Sequence, residues 1–499
     1  MQDIFDIKKF DEYKEDNRRE VKKATNGLPV SLWDTYSSFA NSYGGVIILG
    51  VKENKDGSWA TTGLKDERKL LKDFWDTINN TSKVSINLLK DKDVEVYTID
   101  EDIIIVIYVP RANRELRPVY INGDMFKGTF KRTHEGDYHC TPLQVKSLLR
   151  DQTETTMDMA VLDDVPMEYL CNDTIQSYRN RHRVSKPGHP WISISDEEFL
   201  KKIGAAALGS DGALHPTGAG LLMFGEEYNI VRSYPEYFLD YRELLDPTTR
   251  WSDRLESSSG EWTGNLFDFY FRVYNKLIKD VKTPFKMVGG DRVDDTPVHK
   301  ALREVLANCL VNTDFFVPRG IVIKKEFDTI IIENPGSIRV GKYQMREGGE
   351  SDPRNKALMK MFNLIDIGER AGSGIPELFD VWSNEGWEDP IIEERLDGVE
   401  RTKLSLSFIE KATKKSDEKK ATKKSDEKKI TTKTQAQIEA ILANMVPGEW
   451  YRSSDLMDVL EIKETRTKEL LRLMVKMGEL IDDGSTKGKR YQINNKETR

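Results

Sequence analysis

A glutamate and an asparagine stand four residues apart in residues 299–315, HKALREVLANCLVNTDF, whose apolar residues recur at helical spacing. Glu304 and Asn308 would therefore lie on one face of a helix. A carboxylate and an amide are side chains that suit proton transfer and the oxygen-rich shell of Mg²⁺. The alternative is an ordinary amphipathic helix that exposes this pair and buries Leu302, Val305, Leu306, Cys309 and Leu310.

Two glycine-containing segments follow this helix in the sequence. Residues 329–340, TIIIENPGSIRV, predict a strand that runs into an Asn-Pro-Gly turn. Residues 368–375, GERAGSGI, predict a glycine-rich turn before another helix. In that turn Gly372 and Gly374 could bring backbone N–H groups close to phosphates at a helix N-terminus.

The three segments, in this order, resemble the nucleotide-binding fold of GHKL ATPases, named after gyrase, Hsp90, histidine kinases and MutL. They are similar to the subfamily called HATPase_c_4, in which the strand ends in NPG, an SxxRN segment follows and a GSGI turn opens the last helix. Here these are residues 334–336, Ser351 with Arg354 and Asn355, and residues 372–375.

The GHKL resemblance implies ATP and Mg²⁺ as cofactors and a possible ATPase activity. It implies Glu304 as the general base that activates water and Asn308 as the Mg²⁺ ligand. Glu333 and Asn334 are the polar candidates for contact with adenine, where the family usually has an aspartate. The residues implied to contact the nucleotide are Asn308, Asn334, Gly336, Arg354, Gly372 and Gly374.

The N-terminal third is organised around residues 31–53, SLWDTYSSFANSYGGVIILGVKE, which predict a helix, a glycine turn and a buried strand. A plain helix-to-strand connection would account for the same geometry. The ordered combination of FAN, GG and LGV resembles the AlbA_2 or Schlafen-type nucleic-acid-binding domain over roughly residues 10–150. The resemblance implies a sheet that faces nucleic acid, DNA or RNA.

Some Schlafen members cut RNA with two glutamates five residues apart and an acidic residue just after the strand. Glu15 and Glu20 have that spacing, and Lys22 matches the basic residue that follows the second glutamate. Lys52 stands where an aspartate is expected, and Glu53 supplies a carboxylate one residue later. The resemblance implies that Glu15, Glu20 and Glu53 are catalytic, metal-binding carboxylates, and the sequence departs from the pattern at position 52.

Two hairpins are predicted after this unit. Residues 94–99 and 103–109 have strand composition on either side of an acidic turn. Residues 117–133 predict a second hairpin with Asn122-Gly123 at its tip, and its returning arm carries Lys127, Lys131 and Arg132. These cations beside an aromatic residue suit phosphate contact, although an edge strand protected by lysines would look the same. Residues 141–150 predict a closing helix and residues 151–165 a linker.

Composition sets the class of protein. The 499 residues carry a net charge of −8, which argues against wholesale coating of nucleic acid, and their number predicts two to four domains. There is no apolar run of membrane-span length and no signal-peptide core at the start, so a soluble cytoplasmic protein is expected. The three cysteines are far apart and odd in number, which predicts reduced thiols.

The C-terminal region begins with a repeat. ATKKSDEKK occurs twice in residues 412–429, which predicts a solvated tether over residues 411–434, although its lysines could also hold nucleic acid. Residues 435–499 have the pattern of three helices and a hairpin and resemble a winged helix. That resemblance implies DNA contact or, alternatively, protein interaction. The cations in the third helix and wing are Arg466, Lys468, Arg472, Lys487, Lys489 and Arg490.

The middle of the chain echoes a block that follows AlbA_2 in bacterial proteins labelled RecG-related or transcriptional regulators. The block is HPTGAGLLMFG, residues 215–225, and the chain has no P-loop GxxxxGK[ST] pattern behind the helicase label. A multidomain α/β protein is expected. Its predicted parts are an α+β AlbA_2/Schlafen-like domain at 1–150, a middle region at 151–284, a GHKL-like α/β sandwich at 285–410, a linker at 411–434 and a winged helix at 435–499.

The function that follows is ATP-responsive nucleic-acid binding, as a bacterial transcriptional regulator and a homo-oligomer. One rival is a divalent-metal-dependent nuclease that acts in phage defence. Another is an assembly scaffold that has lost both activities.

Overall fold

The computed structural model describes residues 4–246, 248–279, 286–288, 291–293, 296–368, 372–396, 398–411, 438, 441–442, 444–446, 449–460, 464–476, 479–483 and 489–493. The chain divides into two units, Met1–Ala412 and Thr413–Arg499. The predicted tether lies outside the described residues apart from its first residue, Lys411. Among the described residues, no helix combines the length and apolar character needed to cross a membrane.

A four-stranded sheet forms the centre of the N-terminal part of the first unit. The elements there are β1 Arg19–Lys22, β2 Gly45–Leu49, β3 Val51–Glu53, β4 Trp59–Thr61, β5 Val94–Ile99, β6 Asp102–Val109, β7 Phe130–Thr133, β8 Gly136–His139, α1 Ser31–Asn41, α2 Glu67–Ile78, α3 Met125–Gly128 and α4 Pro142–Gln152. The sheet order is β1-β2-β6-β5, with β1 parallel to β2 and the other pairs antiparallel.

The predicted helix, glycine turn and strand of residues 31–53 are found as α1 and β2. All five residues of β2 are buried because apolar clusters cover both faces of the sheet. Asn41, the last residue of FAN, donates from Nδ2 to Val119 O at 2.7 Å and to Phe130 O at 3.1 Å. This asparagine therefore ties the helix to a segment about 80 to 90 residues later.

The first predicted hairpin is present as β5 and β6, but the second is different. Asn122 and Gly123 have the positive φ angles of a tight turn. The chain then forms the short helix α3, and β7 pairs with β8 rather than with residues 117–121. The prediction that residues 117–133 form one hairpin is therefore wrong beyond an isolated bridge between Tyr120 and Thr129.

The rest of the first unit is built on a six-stranded sheet. Its elements and those around it are β9 Ala206–Leu208, β10 Leu214–Pro216, β11 Leu239–Leu244, β12 Asp253–Glu256, β13 Lys286–Val288, β14 Asp291–Val293, β15 Ile321–Glu326, β16 Thr329–Pro335, β17 Ile391–Arg395, β18 Arg401–Ser407, α5 Asn172–Ser185, α6 Asp196–Ile203, α7 Gly218–Phe224, α8 Glu227–Ser233, α9 Leu266–Ile278, α10 Pro297–Val311, α11 Lys342–Glu347, α12 Lys356–Leu364 and α13 Gly374–Asn384.

The six strands lie in the order β12-β11-β15-β16-β18-β17. Strands β11 and β12 belong to the predicted middle region, yet β11 pairs in parallel with β15 of the predicted GHKL-like domain. A single apolar core extends from Val165 to Leu406. The predicted boundary at 284/285 therefore does not separate two cores, because strands from both sides complete one sheet.

The predicted linker at residues 151–165 is also structured. Asp151 at the end of α4 is buried, and Asp158 Oδ2 accepts hydrogen bonds at 2.9 Å from the backbone N–H groups of Ala357 and Leu358. Asp158 thereby binds the first turn of α12, where backbone N–H groups lack partners within the helix. Two acidic residues of this stretch, Asp151 and Asp158, are therefore buried in specific contacts rather than exposed to solvent.

The second unit contains two described helices, Ser453–Leu460 and Glu464–Lys476, and a small antiparallel sheet. The strands are β19 Tyr451–Arg452, β20 Leu480–Asp482 and β21 Arg490–Ile493, in the order β19-β21-β20. Buried apolar residues, among them Ile441, Leu470 and Met474, form its core. The predicted second and third helices and the hairpin strands are present, and most of the first helix lies outside the described residues.

Candidate functional site

Helix α10 holds the predicted glutamate and asparagine side by side. Thr296 caps the helix in a capping box with His299, and Pro297 occupies its first turn. Both Glu304 and Asn308 are half-buried, and Asn308 Nδ2 donates to Glu304 Oε1 at 3.3 Å. The apolar face of α10 packs in the core as expected. The polar pair, however, faces a cleft rather than bulk solvent.

This cleft contains about 1010 Å³ of empty space, part of it open to solvent. Its floor is mainly apolar and comes from strands β16, β17 and β18, which line it with Ile332, Ile392 and Leu404 together with Thr402. The cleft is also lined by α10 and by residues of a segment that we call the wall segment, residues 337–353. An apolar floor with a few polar groups at the rim is typical of small-molecule sites.

The described part of the glycine-rich segment, at residues 372–375, contributes to the lining of the cleft. Gly372 and Gly374 both line it, and α13 begins at Gly374. A Cβ on Gly374 would lie 2.5 Å from Glu304 Cγ, so the turn approaches the glutamate directly. The arrangement brings a carboxylate, an amide and a helix N-terminus to one cleft, which suits a phosphorylated ligand with a hydrated cation.

Replacing Gly374 by valine is expected to displace the side chain of Glu304 even when no ligand is bound. The new side chain would occupy the place of Glu304 Cγ, so nucleotide binding in a filter-binding assay should fall. Combining Gly374→Val with Glu304→Ala removes that clash. If binding stays lost in the double variant, the valine blocks the ligand itself; full recovery would mean that the turn does not contact the ligand.

Three of the predicted nucleotide-contact residues, Asn334, Gly336 and Arg354, do not lie at the same site in the structure. Asn334 lines the cleft and is buried, with Nδ2 donating to Pro335 O at 3.2 Å. Arg354 instead forms a bidentate pair with Asp151, at 2.9 Å from Nε and 2.7 Å from Nη2, and also donates to Asn312 O and Ser337 O. Gly336 has a positive φ, and its missing Cβ leaves room for the Arg354 guanidinium.

The prediction that Arg354 and Gly336 contact the nucleotide is corrected by this geometry. Arg354 forms a buried ion pair that joins the residues before α12 to the end of α4, Gly336 leaves room for its guanidinium, and neither residue lines the cleft. Although burial opposes ionisation, the Arg354 guanidinium lowers the pKa of Asp151 below its usual value. No pattern in the sequence signals a pair formed between residues 203 positions apart.

Several cleft residues are not among the predicted site residues. They include Arg339, Asp352, Ile392, Thr402 and Leu404. The alternation in RTKLSLS, residues 401–407, was the available signal for the strand that carries two of them. Arg339 and Asp352 lie in the wall segment, whose irregular sequence gives no comparable signal.

The three glutamates of the N-terminal part do come together. Glu53 Oε1 accepts from the Glu15 N–H at 3.1 Å, and Glu15 Oε1 accepts from the Val21 N–H at 3.0 Å. Burial, together with the charges of Glu20 and Glu53, raises the pKa of Glu15 to about 7. A carboxyl that titrates near neutrality in a cluster of acids is a candidate for proton transfer.

These carboxylates do not form a metal site as they stand. Glu20 binds Lys22 through Oε1 at 2.9 Å and Arg132 through Oε2 at 2.8 Å. Within the described part of the chain, no group of three or more acidic, histidine or cysteine side chains has the arrangement to hold a metal ion. The two cations balance Glu20 where a divalent ion would be needed.

The structure also corrects the prediction that the returning arm of the second hairpin contacts phosphate, for two of its three cations. The Arg132 side chain has no exposed surface and binds Glu20 and Asp137, and Lys131 forms a buried pair with Glu400. Lys22 is largely buried against Glu20. Of the predicted basic residues in this part, Lys127 is exposed, with 88% of its side chain accessible, beside the half-exposed Phe126.

The cations of the second unit differ in their environment. Lys468 and Arg472 lie four residues apart on the exposed side of helix Glu464–Lys476. Lys489 binds Asp482 at 2.9 Å, and Arg490 binds Asp483 at 3.2 Å. Lys487 and the side chain of Arg466 lie outside the described residues.

Comparison with known families identifies the two domain types. Residues 8–141 match the family described as "Schlafen, AlbA_2", and residues 319–402 match "Putative ATP-dependent DNA helicase recG C-terminal". Residues 146–240 match a domain of unknown function. No curated protein matches the chain significantly. The RecG C-terminal match covers the glycine turns and strands β16 and β17 of the cleft, but it ends at the second residue of β18 and begins after α10, which carries Glu304 and Asn308.

Two solved structures are similar to parts or all of the chain. One is the DIP2311 protein from Corynebacterium diphtheriae, with 15% identity over 96% of this chain and 92% of that one, and a TM-score of 0.40. The other is the N-terminal domain of a "Putative ATP-dependent DNA Helicase RecG-related Protein" from Nitrosomonas europaea. It has 22% identity over 25% of this chain and 82% of that one, and a TM-score of 0.19.

The chain is thus an α/β multidomain protein that contains a Schlafen AlbA_2 domain and a domain of the RecG C-terminal, HATPase_c_4 type. The predicted family resemblance of both parts is confirmed. This pair of domains indicates a nucleic-acid-binding protein with an ATPase-like domain.

Proposed function

We propose that the protein binds nucleic acid in a nucleotide-dependent manner and acts as a transcriptional regulator. The observation that carries this proposal is the cleft in which Glu304, Asn308 and the turn at Gly372 and Gly374 converge over an apolar floor. A purine would contact the floor, and the polar end would take the phosphates. A winged-helix role for the second unit supplies the second nucleic-acid contact in this proposal.

ATP with Mg²⁺ is the ligand that best fits the donor set of the cleft. Bound Mg²⁺ would neutralise phosphate charge, and the protein offers it the Asn308 side-chain oxygen, since the Asn308 amide nitrogen donates to Glu304. Asn334 lines the same apolar cleft and is the candidate for contact with the base. Glu304 stands where it can hold a proton from a water molecule.

The proposed function is tested by measuring binding of a mixed-sequence DNA duplex, and of RNA of the same sequence, with and without Mg²⁺-ATP. We expect affinity for one of them to change on addition of ATP. If both nucleic acids bind identically with and without saturating ATP, the proposal of nucleotide-dependent binding is wrong.

A basic helix face in the second unit gives a separate prediction. Replacing Lys468 and Arg472 together by alanine should weaken DNA binding and reduce the slope of log K against log salt by about 2, because each lost phosphate contact removes about 0.9. Replacing Lys489 and Arg490 should have less effect, since Asp482 and Asp483 already neutralise them. A slope unchanged in the first variant would assign this unit to protein interaction.

A second candidate function is nucleolytic cleavage in defence against phage. The convergence of Glu15, Glu20 and Glu53 and the raised pKa of Glu15 favour it. The ion pairs of Glu20 with Lys22 and Arg132 weigh against a metal-dependent route. Incubation with RNA and DNA in the presence of Mg²⁺ or Mn²⁺ tests it, and cutting that persists unchanged in Glu20→Gln would remove Glu20 from any such site.

Glu15 also gives a prediction for stability. Because its folded-state pKa of about 7 lies above the ordinary 4.5, the stability that its neutral form contributes is present below pH 4.5 and is lost as the pH rises through 7. Glu15→Gln keeps the acceptor for the Val21 N–H without ionising. The variant should therefore lose less stability than the wild type between pH 5 and 8 in thermal melts. Identical losses would contradict a raised pKa for Glu15 in the folded protein.

A further inference from the structure

The wall segment of the cleft is bound by residues of the AlbA_2 part of the chain. Glu394 on β17 accepts from the Ile338 N–H at 2.8 Å through Oε1. The same carboxylate receives Arg111 in a bidentate pair, at 2.7 Å and 3.1 Å. Ile338 lines the cleft, whereas Arg111 lies two residues after the end of β6 in the N-terminal sheet. One buried carboxylate thus joins the cleft to that sheet.

A second contact strengthens this connection. Tyr43 Oη donates to the Glu394 backbone carbonyl at 3.2 Å, and Tyr43 stands in the turn between α1 and β2. In the same turn, Gly44 packs so closely on Arg111 that a Cβ would lie 2.9 Å from the Arg111 backbone nitrogen. A movement of Glu394 would therefore displace residues at the start of β2. This strand pairs with β1, which carries Glu20.

Two further connections reach the same wall segment. Arg114 binds Asp352, which lines the cleft, and donates to Asp151 O at 2.9 Å. Arg339 donates to Asp151 O at 2.9 Å and to Pro353 O at 3.0 Å. The wall segment is thus held from the N-terminal side near both of its ends. Buried, hydrogen-bonded charges are rigid because each has few alternative partners.

We propose that ligand binding in the cleft is transmitted to the AlbA_2 sheet through the Ile338–Glu394–Arg111 connection, supported by the Arg114–Asp352 pair. The proposal rests on the proposed function, because it requires a ligand that contacts the wall segment. A ligand that displaces Ile338 or Asp352 must move or break contacts whose other ends are Arg111 and Arg114. Coupling of this kind is reciprocal, so nucleic acid on the sheet changes nucleotide affinity by the same factor.

The test compares Glu394→Gln with Glu393→Gln in the full-length protein. Glu394 does not line the cleft, and glutamine in its place keeps an acceptor for the Ile338 N–H but loses the charge that holds Arg111. Glu393, the preceding residue, pairs with Lys403 on the adjacent strand, and its side-chain hydrogen bond goes to Lys403 rather than to Ile338 or Arg111. Arg114→Gln is the second variant, in case the buried change at Glu394 prevents folding.

Affinity for a fluorescent ATP analogue with Mg²⁺ is measured with and without a saturating mixed-sequence DNA duplex or RNA. In the wild type and in Glu393→Gln we expect the nucleic acid to shift nucleotide affinity by about 5- to 150-fold. In Glu394→Gln and Arg114→Gln the shift should fall toward one. A full shift in both variants would overturn the proposed route while leaving the proposed function intact, and a wild type without any shift would overturn the proposed function.

Hydrogen exchange of the ligand-free proteins tests the connection independently of any ligand. Glu394→Gln should speed amide exchange both in residues 337–340 and in residues 43–49, whereas Glu393→Gln should change neither. Faster exchange confined to β17 would overturn the proposed route even if nucleotide binds.

Discussion

Replacing Asn308 by alanine is expected to weaken Mg²⁺-dependent ATP binding strongly. Mg²⁺ tolerates little geometric error in its oxygen ligands, and even indirect partners of a metal ion contribute about 10- to 100-fold to its affinity. We therefore expect affinity for Mg²⁺-ATP to fall by on the order of 100-fold or more. Isothermal titration in Mg²⁺ and again in EDTA measures the loss, which should be absent in EDTA.

Glu304 should separate from Asn308 in this experiment. Glu304→Gln keeps an oxygen within reach of the Asn308 amide, so binding should persist, while phosphate release should fall by about 10²- to 10⁴-fold if Glu304 acts as the base. Asn275→Ala, an exposed asparagine on α9, is the control and should bind and hydrolyse normally. Undiminished Mg²⁺-ATP binding by Asn308→Ala would exclude its role as the metal ligand.

Breaking the Arg354–Asp151 pair should have the largest effect on stability. Both side chains are less than 10% exposed, and Arg354→Met would leave the Asp151 carboxylate buried with its main partner lost. Loss of one partner of a buried pair costs about 3–5 kcal/mol in free energy of unfolding. The change in free energy of unfolding is measured from the unfolding transition of the first unit in urea.

An exposed pair supplies the control for this measurement. Lys403 and Glu393 are 22% and 46% exposed, and Lys403→Met should cost no more than about 1 kcal/mol. Equal losses in the two variants would contradict a structural role for Arg354. Nucleotide binding can also be measured in Arg354→Met after stabilising substitutions elsewhere have restored its folding. Binding at wild-type affinity would confirm that Arg354 does not contact the ligand.

Local features were predictable from the sequence because local rules produce them. The α1–β2 unit follows from helical spacing, two glycines and a buried apolar run, and α10 follows from its capping residues and apolar face. The side-by-side position of Glu304 and Asn308 also follows from their spacing alone. These features need no knowledge of what lies across the core.

Features that depend on distant partners were not predictable. Lys131 and Arg132 look like surface cations in the sequence, yet Glu400 and Glu20 neutralise them in the interior. Arg354 belongs to a nucleotide-site motif by its sequence context but pairs with Asp151. Charge patterns indicate where cations occur, whereas the fold decides whether they meet an anion, and 269 residues separate Lys131 from its partner.

The domain boundary was misplaced for a similar reason. Strands β11 and β12 lie within the predicted middle region, where they pair with each other, and β11 also pairs with β15, a strand of the predicted nucleotide-type domain. Periodicity predicts strands but not which strand each one joins. The predicted middle region and the nucleotide-type domain therefore form one folded body.

Titration of the wild-type protein with labelled ATP is the most direct test of the central claim that the cleft is a nucleotide site. In excess Mg²⁺ we expect saturable binding of one ATP per chain, competed by ADP and reduced in Asn308→Ala. Absence of saturable binding at millimolar nucleotide would contradict the claim, and the cleft would then keep the shape of a nucleotide site without its ligand.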